Sequence, residues 1–263
     1  MARINPPVGA PCWFELASSD PSASLAFHQA LFGWTAVHND MGEMGTYSFI
    51  RNRNGTVGAL CGMPPGSEGR PSNWSVYFLV ENVDASVAQA QTLGGQLLFG
   101  PFDVPGHGRG AVLSDPAGAA FCLWQSAQSD AGDFVMFEDH AIGWVELATK
   151  DAPAAKAFYQ ALLGFCFHAS GAAVPEGVEY SEYSVGDTRF GGVLTMTAEW
   201  GDMPSHWSLY VPVADVDACL ARCTELGGQV CVPAFNAPGV GRIARLADPA
   251  GAGVYVIKLD QPR

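Results

Sequence analysis

Charge is scarce in this chain, and positive charge is scarcest. Of 263 residues only 15% are Asp, Glu, Lys or Arg, and 13 basic residues stand against 26 acidic ones, a formal net charge of -13. Such a surface repels phosphate backbones, so no nucleic-acid partner is expected. Long apolar runs are missing as well. Nothing approaches the ~18 consecutive apolar residues that span a bilayer, so no membrane partner is expected. The opening residues, MARINPPVGAPC, hold no apolar stretch of the secretory kind, and the expected location is cytoplasmic. The seven cysteines (Cys12, Cys61, Cys122, Cys166, Cys219, Cys223 and Cys231) are odd in number and contain no C-x-x-C pair. That excludes a disulfide framework or a zinc knuckle and reads as buried thiols. The six histidines (His28, His38, His107, His140, His168 and His206) show no H-E-x-x-H or paired spacing and read as packing or surface residues. The G-x-G of "GHGRG" precedes a strand and not a helix, so it lacks the context of a dinucleotide loop.

What the chain has instead is a repeat of itself. "WFELASSD" (Trp13 to Asp20) returns as "WVELATKD" (Trp144 to Asp151), and "DPSASLAFHQALFGW" returns as "DAPAAKAFYQALLGF". "VENVDASVAQAQTLGGQ" is matched by "VADVDACLARCTELGGQ", and "PGHGRGAVLSDPAG" by "PGVGRIARLADPAG". The offset drifts only from 131 to 133 residues. A period that long marks duplicated whole domains of about 130 residues each and not a solenoid. The domains are placed at residues 1–128 and 134–263, with the boundary in the polar stretch SAQSDAGD, Ser126 to Asp133.

Within each copy the pattern runs strand, helix, strands, and does so twice. Asp20 and Asp151 are placed as helix N-caps, with Gly33 and Gly164 where those helices stop. A second pair of helices is expected from near Asp84 and Asp217 to the Gly-Gly pairs Gly94-Gly95 and Gly227-Gly228. Each copy is therefore a pair of βαβββ units, an α+β fold in which a curved sheet, covered by helices on one face, leaves a cup on the other.

These repeated motifs resemble the vicinal oxygen chelate superfamily, which includes glyoxalases, bleomycin-resistance proteins and extradiol dioxygenases. Within it the chain is most similar to fused two-domain bacterial glyoxalase-like proteins. The resemblance implies a divalent metal held by His, Gln and Glu residues from four strands of a domain. The matching positions here hold Trp13, Ala59, Ser75 and Cys122 in one copy, and Trp144, Val193, Ser208 and Tyr255 in the other. Several of these have no donor atom, so no metal and no other cofactor is expected, with a divalent metal as the alternative.

One feature of the repeat is costly. A carboxylate, Glu15 and then Glu146, stands inside an apolar strand, where an unpaired charge is expensive. Alternation puts Trp13 with Glu15, and Trp144 with Glu146, on one face, and the resemblance turns that face toward the cup. The expected partners are the guanidinium fork of Arg109 or Arg242, an indole N–H or a tyrosine hydroxyl. Trp74 and Tyr77 complete the expected floor of the first cup, and Trp207, Tyr210 and Tyr255 that of the second. Aromatic walls with a few polar groups suit a small molecule. The expected function is metal-independent binding of a small aromatic or hydrophobic molecule by a monomer or homodimer. The alternative is a glyoxalase- or dioxygenase-type enzyme, a lyase or oxidoreductase, with Glu15 or Glu146 as acid and base. Cys122 and Tyr255 differ between copies, so the two cups are not expected to bind one ligand equally.

Overall fold

The computed structural model describes residues 5–42, 45–64, 66, 69–128, 132–171 and 177–261; part of the expected boundary stretch, residues 129–131, lies outside them. The first unit of the first domain is β1 (Pro11–Ser18), α1 (Pro21–Phe32), β2 (Thr35–Asp40), β3 (Thr46–Arg51) and β4 (Thr56–Gly62). The next is β5 (Asn73–Leu79), α2 (Val83–Thr92), β6 (Gln96–Val104), β7 (Gly108–Ser114) and β8 (Ala120–Ser126). The second domain repeats both, first as β9 (Trp144–Thr149), α3 (Ala152–Leu163), β10 (Cys166–Ala169), β11 (Tyr180–Val185) and β12 (Thr188–Thr195). It closes with β13 (His206–Pro212), α4 (Val216–Glu225), β14 (Gln229–Ala237), β15 (Gly241–Ala247) and β16 (Gly253–Leu259). The four βαβββ units read from sequence are thus present.

Two curved eight-stranded sheets result, ordered β2-β3-β4-β1-β5-β8-β7-β6 and β10-β11-β12-β9-β13-β16-β15-β14. In each, the strands bearing the repeated glutamate lie at the centre, where the two units meet. The caps follow local chemistry. The Asp20 and Asp151 side chains accept from the third helical backbone N–H groups, Ala23 and Ala154, and Gly33 and Gly164 end those helices at φ 71° and 70°. The other helices start at Val83 and Val216, one residue before Asp84 and Asp217, because Asn82 and Asp215 are the caps and the aspartates lie in the first turn.

The helix-covered faces of the two sheets pack against each other, α1 on α4 and α2 on α3, and one apolar core runs through both domains. The repeated motifs meet across this junction. A Cβ on Gly95 would lie 3.1 Å from the Phe158 ring, and one on Gly228 would lie 2.5 Å from Phe27, so each L-G-G turn leaves room for the other domain's A-F motif. Each D-P-A-G turn is tied by its aspartate. Asp115 Oδ1 accepts from the backbone of Ala117 and Ala119, and Asp248 Oδ1 from Ala250 and Ala252. The second oxygen crosses the junction: Tyr159 donates to Asp115 Oδ2 at 3.2 Å, and His28 Nε2 lies 3.6 Å from Asp248 Oδ2. His28 is fully buried, a packing histidine as expected.

Candidate functional site

Alternation along β1 sends Phe14 and Leu16, both fully buried, into the helix-covered core. That burial stabilises by about 1.5–3 kcal/mol for each side chain. Trp13 and Glu15 are left on the concave face, with Glu15 opposite Ala59 of β4 and Ser75 of β5. Both carboxylate oxygens are satisfied by phenols: Tyr47 donates to Oε2 at 2.8 Å and Tyr77 to Oε1 at 3.1 Å. The Trp13 indole N–H donates to the Tyr47 hydroxyl at 3.0 Å, which makes a relay from indole to phenol to carboxylate. Burial raises the Glu15 pKa, and the two tyrosine bonds offset only part of that rise. Burial foremost, and then the carboxylate and thiols around them, push Tyr47 and Tyr77 well above their ordinary values, which keeps them as donors.

The second cup repeats the relay. Trp144 donates to the Tyr180 hydroxyl at 2.8 Å, Tyr210 donates to Glu146 Oε1 at 2.6 Å, and Tyr180 also bonds Glu146. Glu146 is raised for the same first reason, burial. Here the surroundings are closed. Tyr255 stacks on Tyr210 with centroids 4.5 Å apart, and Trp144, Tyr210, Ile243 and Ile257 form a small core of their own.

The fold family implies a metal in such cups, and the residues present do not fit one. Around Glu15 the four positions offer an indole, a methyl, a hydroxyl and a thiol, and the carboxylate's oxygens are already bonded to tyrosines. In the second cup the register places Gly192, not Val193, opposite Glu146, while Val193 pairs with Leu147 on the buried face. That corrects the sequence alignment by one residue, and a glycine has no side-chain donor either. The Cβ that Gly192 lacks would lie 2.2 Å from the Tyr180 hydroxyl, so glycine there is what admits the relay. Among the described residues no group of three His, Cys, Asp or Glu is arranged to hold a metal ion.

Four residues expected in the cups lie elsewhere. Arg109 forks onto Asp84 at 3.0 Å and bonds Asp103 at 2.8 Å, and Arg242 forks onto Asp217 and bonds Asn236, all on the exposed side. A helix-start aspartate outcompetes the buried glutamate because reaching it leaves the guanidinium in water. Trp74 pairs with Leu16 and Trp207 with Leu147, so alternation turns both away from the cups and into the junction between domains. There Trp74 packs on His28 and Trp34, and Trp207 donates to the Tyr159 hydroxyl at 3.1 Å. Trp13, Glu15 and Tyr77, and likewise Trp144, Glu146, Tyr210 and Tyr255, are brought together. The sequence reading overlooked Tyr47 and Tyr180, although the repeated Tyr-Ser pair at Tyr47-Ser48 and Tyr180-Ser181 marked them.

Beside Trp13 the first cup holds an open cavity of about 310 Å³ lined by Trp13, Val37, Phe49, Arg51, Thr56 and Asp133. Its outer wall is the segment between the domains. Phe134 packs on Trp13, and Asp133 bonds the Thr56 hydroxyl at 2.7 Å and pairs with Arg51.

Comparison with known proteins agrees with this geometry. The family model described as "Glyoxalase/Bleomycin resistance protein/Dioxygenase superfamily" matches residues 141–256, and a glyoxalase-like domain model matches residues 13–124. The "Putative glyoxylase CFP32" of Mycobacterium tuberculosis is 37% identical over 95% of both chains. The anthracycline biosynthesis protein DnrV of Streptomyces peucetius is 38% identical over 98% of this chain and 96% of its own. Two solved structures share the fold at low identity. The Mn(II)-bound glyoxalase from Novosphingobium aromaticivorans aligns over 97% of this chain and 86% of its own, with TM-score 0.61 and 16% identity. A variant of homoprotocatechuate 2,3-dioxygenase from B. fuscum aligns over 99% of this chain and 74% of its own, with TM-score 0.62 and 15% identity. No helix among the described residues is long and apolar enough to cross a membrane. Two βαβββ pairs, a family match in each half and relatives 37% and 38% identical over nearly the whole chain lead to one assignment: the chain belongs to the glyoxalase/bleomycin resistance protein/dioxygenase superfamily.

Proposed function

We propose that the chain binds a small planar aromatic molecule in its first cup without a metal, the relay of Trp13, Tyr47, Glu15 and Tyr77 supplying an aromatic floor and one polar anchor. The observation that carries this reading is the adjacency of the open cavity to Trp13, at a cup centre whose metal-ligand positions hold Trp13, Ala59, Ser75 and Cys122. A concave site with apolar walls and few polar groups is the usual make-up of a small-molecule pocket. The relative named for anthracycline biosynthesis supports a ligand of aromatic kind. The test is calorimetric titration with planar aromatics, together with elemental analysis after dialysis against a mild chelator. Binding by metal-free protein is expected, weakened in Glu15→Gln with no loss of melting temperature. About one retained metal per cup, with binding lost on its removal, overturns the reading.

One observation favours a catalytic second reading. Burial raises both glutamates above the ordinary carboxylate range, and a buried carboxyl inside a cup is suited to proton transfer. On this reading Glu15 exchanges a proton with a bound substrate in glyoxalase- or dioxygenase-type chemistry. Turnover abolished in Glu15→Gln with binding intact distinguishes it from simple sequestration.

A further inference from the structure

We infer that the cavity beside Trp13 is a recognition subsite for a neutral planar aromatic ligand that carries a hydrogen-bond acceptor and a donor side by side on one edge, as a ring lactam does. The inference rests on the reading of the first cup as a small-molecule site and adds the chemistry of its ligand. The cavity is built by β1 to β4 and the inter-domain segment, all on one side of Trp13. Tyr77 and Cys122, on the other side, belong to the second unit. Trp13 and Phe49 meet edge-on with centroids 5.8 Å apart, and Val37 is half-exposed at the rim; together they form a surface for a flat ring.

The polar edge of the cavity is an ion pair and not a lone charge. Arg51 bonds the Thr56 hydroxyl at 3.3 Å and pairs with Asp133, while Thr56 donates to Asp133 Oδ1 at 2.7 Å. The Arg51 and Asp133 side chains remain 39% and 29% exposed. Each therefore keeps hydrogen-bonding capacity toward the cavity, N–H groups on one and carboxylate lone pairs on the other. An anion would meet Asp133 and a cation would meet Arg51, each with repulsion. A neutral group offering a carbonyl to Arg51 and an N–H or O–H to Asp133 meets neither. Burial raises Asp133, but its bonds to Thr56 and Arg51 outweigh this and leave it lowered, so it stays ionised as the acceptor.

The pair is held in advance. The Thr56 N–H donates to the Asp133 carbonyl at 2.9 Å, and the Val135 N–H donates to the Thr56 carbonyl at 2.9 Å, so a single parallel bridge ties the segment to the start of β4. A Cβ on Gly55 would lie 2.1 Å from the Asp133 carbonyl, so only glycine lets the segment come this close. The second domain builds the corresponding edge from different residues, with Arg189 paired to Glu182 of the neighbouring strand and not to the segment between the domains. The positions paired like Val37 with Phe49 hold His168 and Glu182, and those paired like Arg51 with Thr56 hold Ser184 and Arg189.

The test is calorimetric titration of the full chain with three bicyclic probes: 2-quinolinone, which has a C=O beside an N–H; quinoline, an acceptor only; and 2-naphthoate, an anion. Wild type is expected to prefer 2-quinolinone. Arg51→Met and Asp133→Ala should each weaken that probe by roughly tenfold or more, the weight of one charge-assisted hydrogen bond. Quinoline should change by much less. Should Arg51→Met melt early, Arg51→Lys, which keeps the charge without the fork, and Gly55→Ala, which displaces the segment, should show the same selective loss. If all three probes bind alike and ignore Arg51 and Asp133 but respond to Glu15→Gln, the cup reading stands and this inference falls. Tightest binding of 2-naphthoate, strengthened further in Asp133→Ala, makes the site an anion site and overturns the inference. Binding of none of the probes removes both.

Discussion

The two cups share one hydrogen-bonded device and differ in what surrounds it. Tryptophan, two tyrosines and glutamate occupy corresponding places in both, yet Glu146 is 8% exposed and every residue of β9 is buried, while Trp13, Glu15 and the rest of their face on β1 are half-open. Part of the difference lies in the second unit of each domain. Gly110 and Cys122 of the first cup correspond to Ile243 and Tyr255 of the second, where Tyr255 lies flat on Tyr210 and Ile243 packs behind it. The second-unit side of the second cup is thus filled by its own side chains, while the first cup keeps its cavity on the other side of Trp13, against β1 to β4. A relay that persists where the cup is filled has a structural role at least there. It satisfies a glutamate whose burial would otherwise leave a charge without partners.

Emptying the second cup is the most severe way to test this contrast. Ile243→Gly removes a side chain from the separate small core and should cost about 2–5 kcal/mol, read from the denaturant midpoint. Combined with Tyr255→Cys it should create aromatic binding in the second domain. A small loss, or no new binding, would mean that filling does not explain the closed state.

Next in size is the relay itself. Tyr180→Phe strips a partner from both the Trp144 indole and Glu146, and Tyr47→Phe does the same to Trp13 and Glu15. Each should cost about 1–3 kcal/mol, with the larger loss at Tyr180 because water cannot replace the missing hydroxyl in a filled cup. Equal losses in thermal or chemical unfolding would erase the distinction between the cups.

The pH dependence is a smaller effect with a definite sign. Both glutamates have folded-state pKa values raised above their unfolded ones. Their contribution is therefore fully present below the unfolded pKa and is lost as pH rises through the folded value. Glu15→Gln and Glu146→Gln cannot ionise, so each variant should gain on wild type in melting temperature as pH rises above the ordinary carboxylate value. At the junction between the domains Asp248 moves the other way: burial raises it, but the nearby His28 and Ser24 and the backbone N–H of Ala252 outweigh that and leave it depressed. Its stabilisation is present above the unfolded pKa and disappears as pH falls through the folded one. Asp248→Asn should accordingly lose least to wild type in acid. The smallest effect belongs to the exposed forks. Arg109→Ala and Arg242→Ala should leave melting temperature and cup binding near wild type in both domains, since solvent screens these pairs.

Much of the architecture could be read from the residues because duplication prints every local signal twice. Cap aspartates, stop glycines and the period of two in W-x-E-L act over a few residues, and their recurrence at a near-constant offset distinguishes signal from accident. That Glu15 shares a face with Trp13, and Glu146 with Trp144, followed from alternation, and the family resemblance turned that face toward the cup. Only the tertiary structure decided which donors reach them. Tyr47 and Tyr180 lie 32 and 34 residues from their glutamates and arrive through strand register, which local pattern does not specify. The same register, one residue out, sent Trp74 and Trp207 to the junction between domains and put Gly192 where Val193 was expected. Arg109 and Arg242 went to nearby aspartates because an exposed ion pair avoids the desolvation that reaching a buried glutamate demands. Whether a cup is open or filled was decided last, by close packing across four strands, a property of summed volumes that no single stretch of the sequence carries.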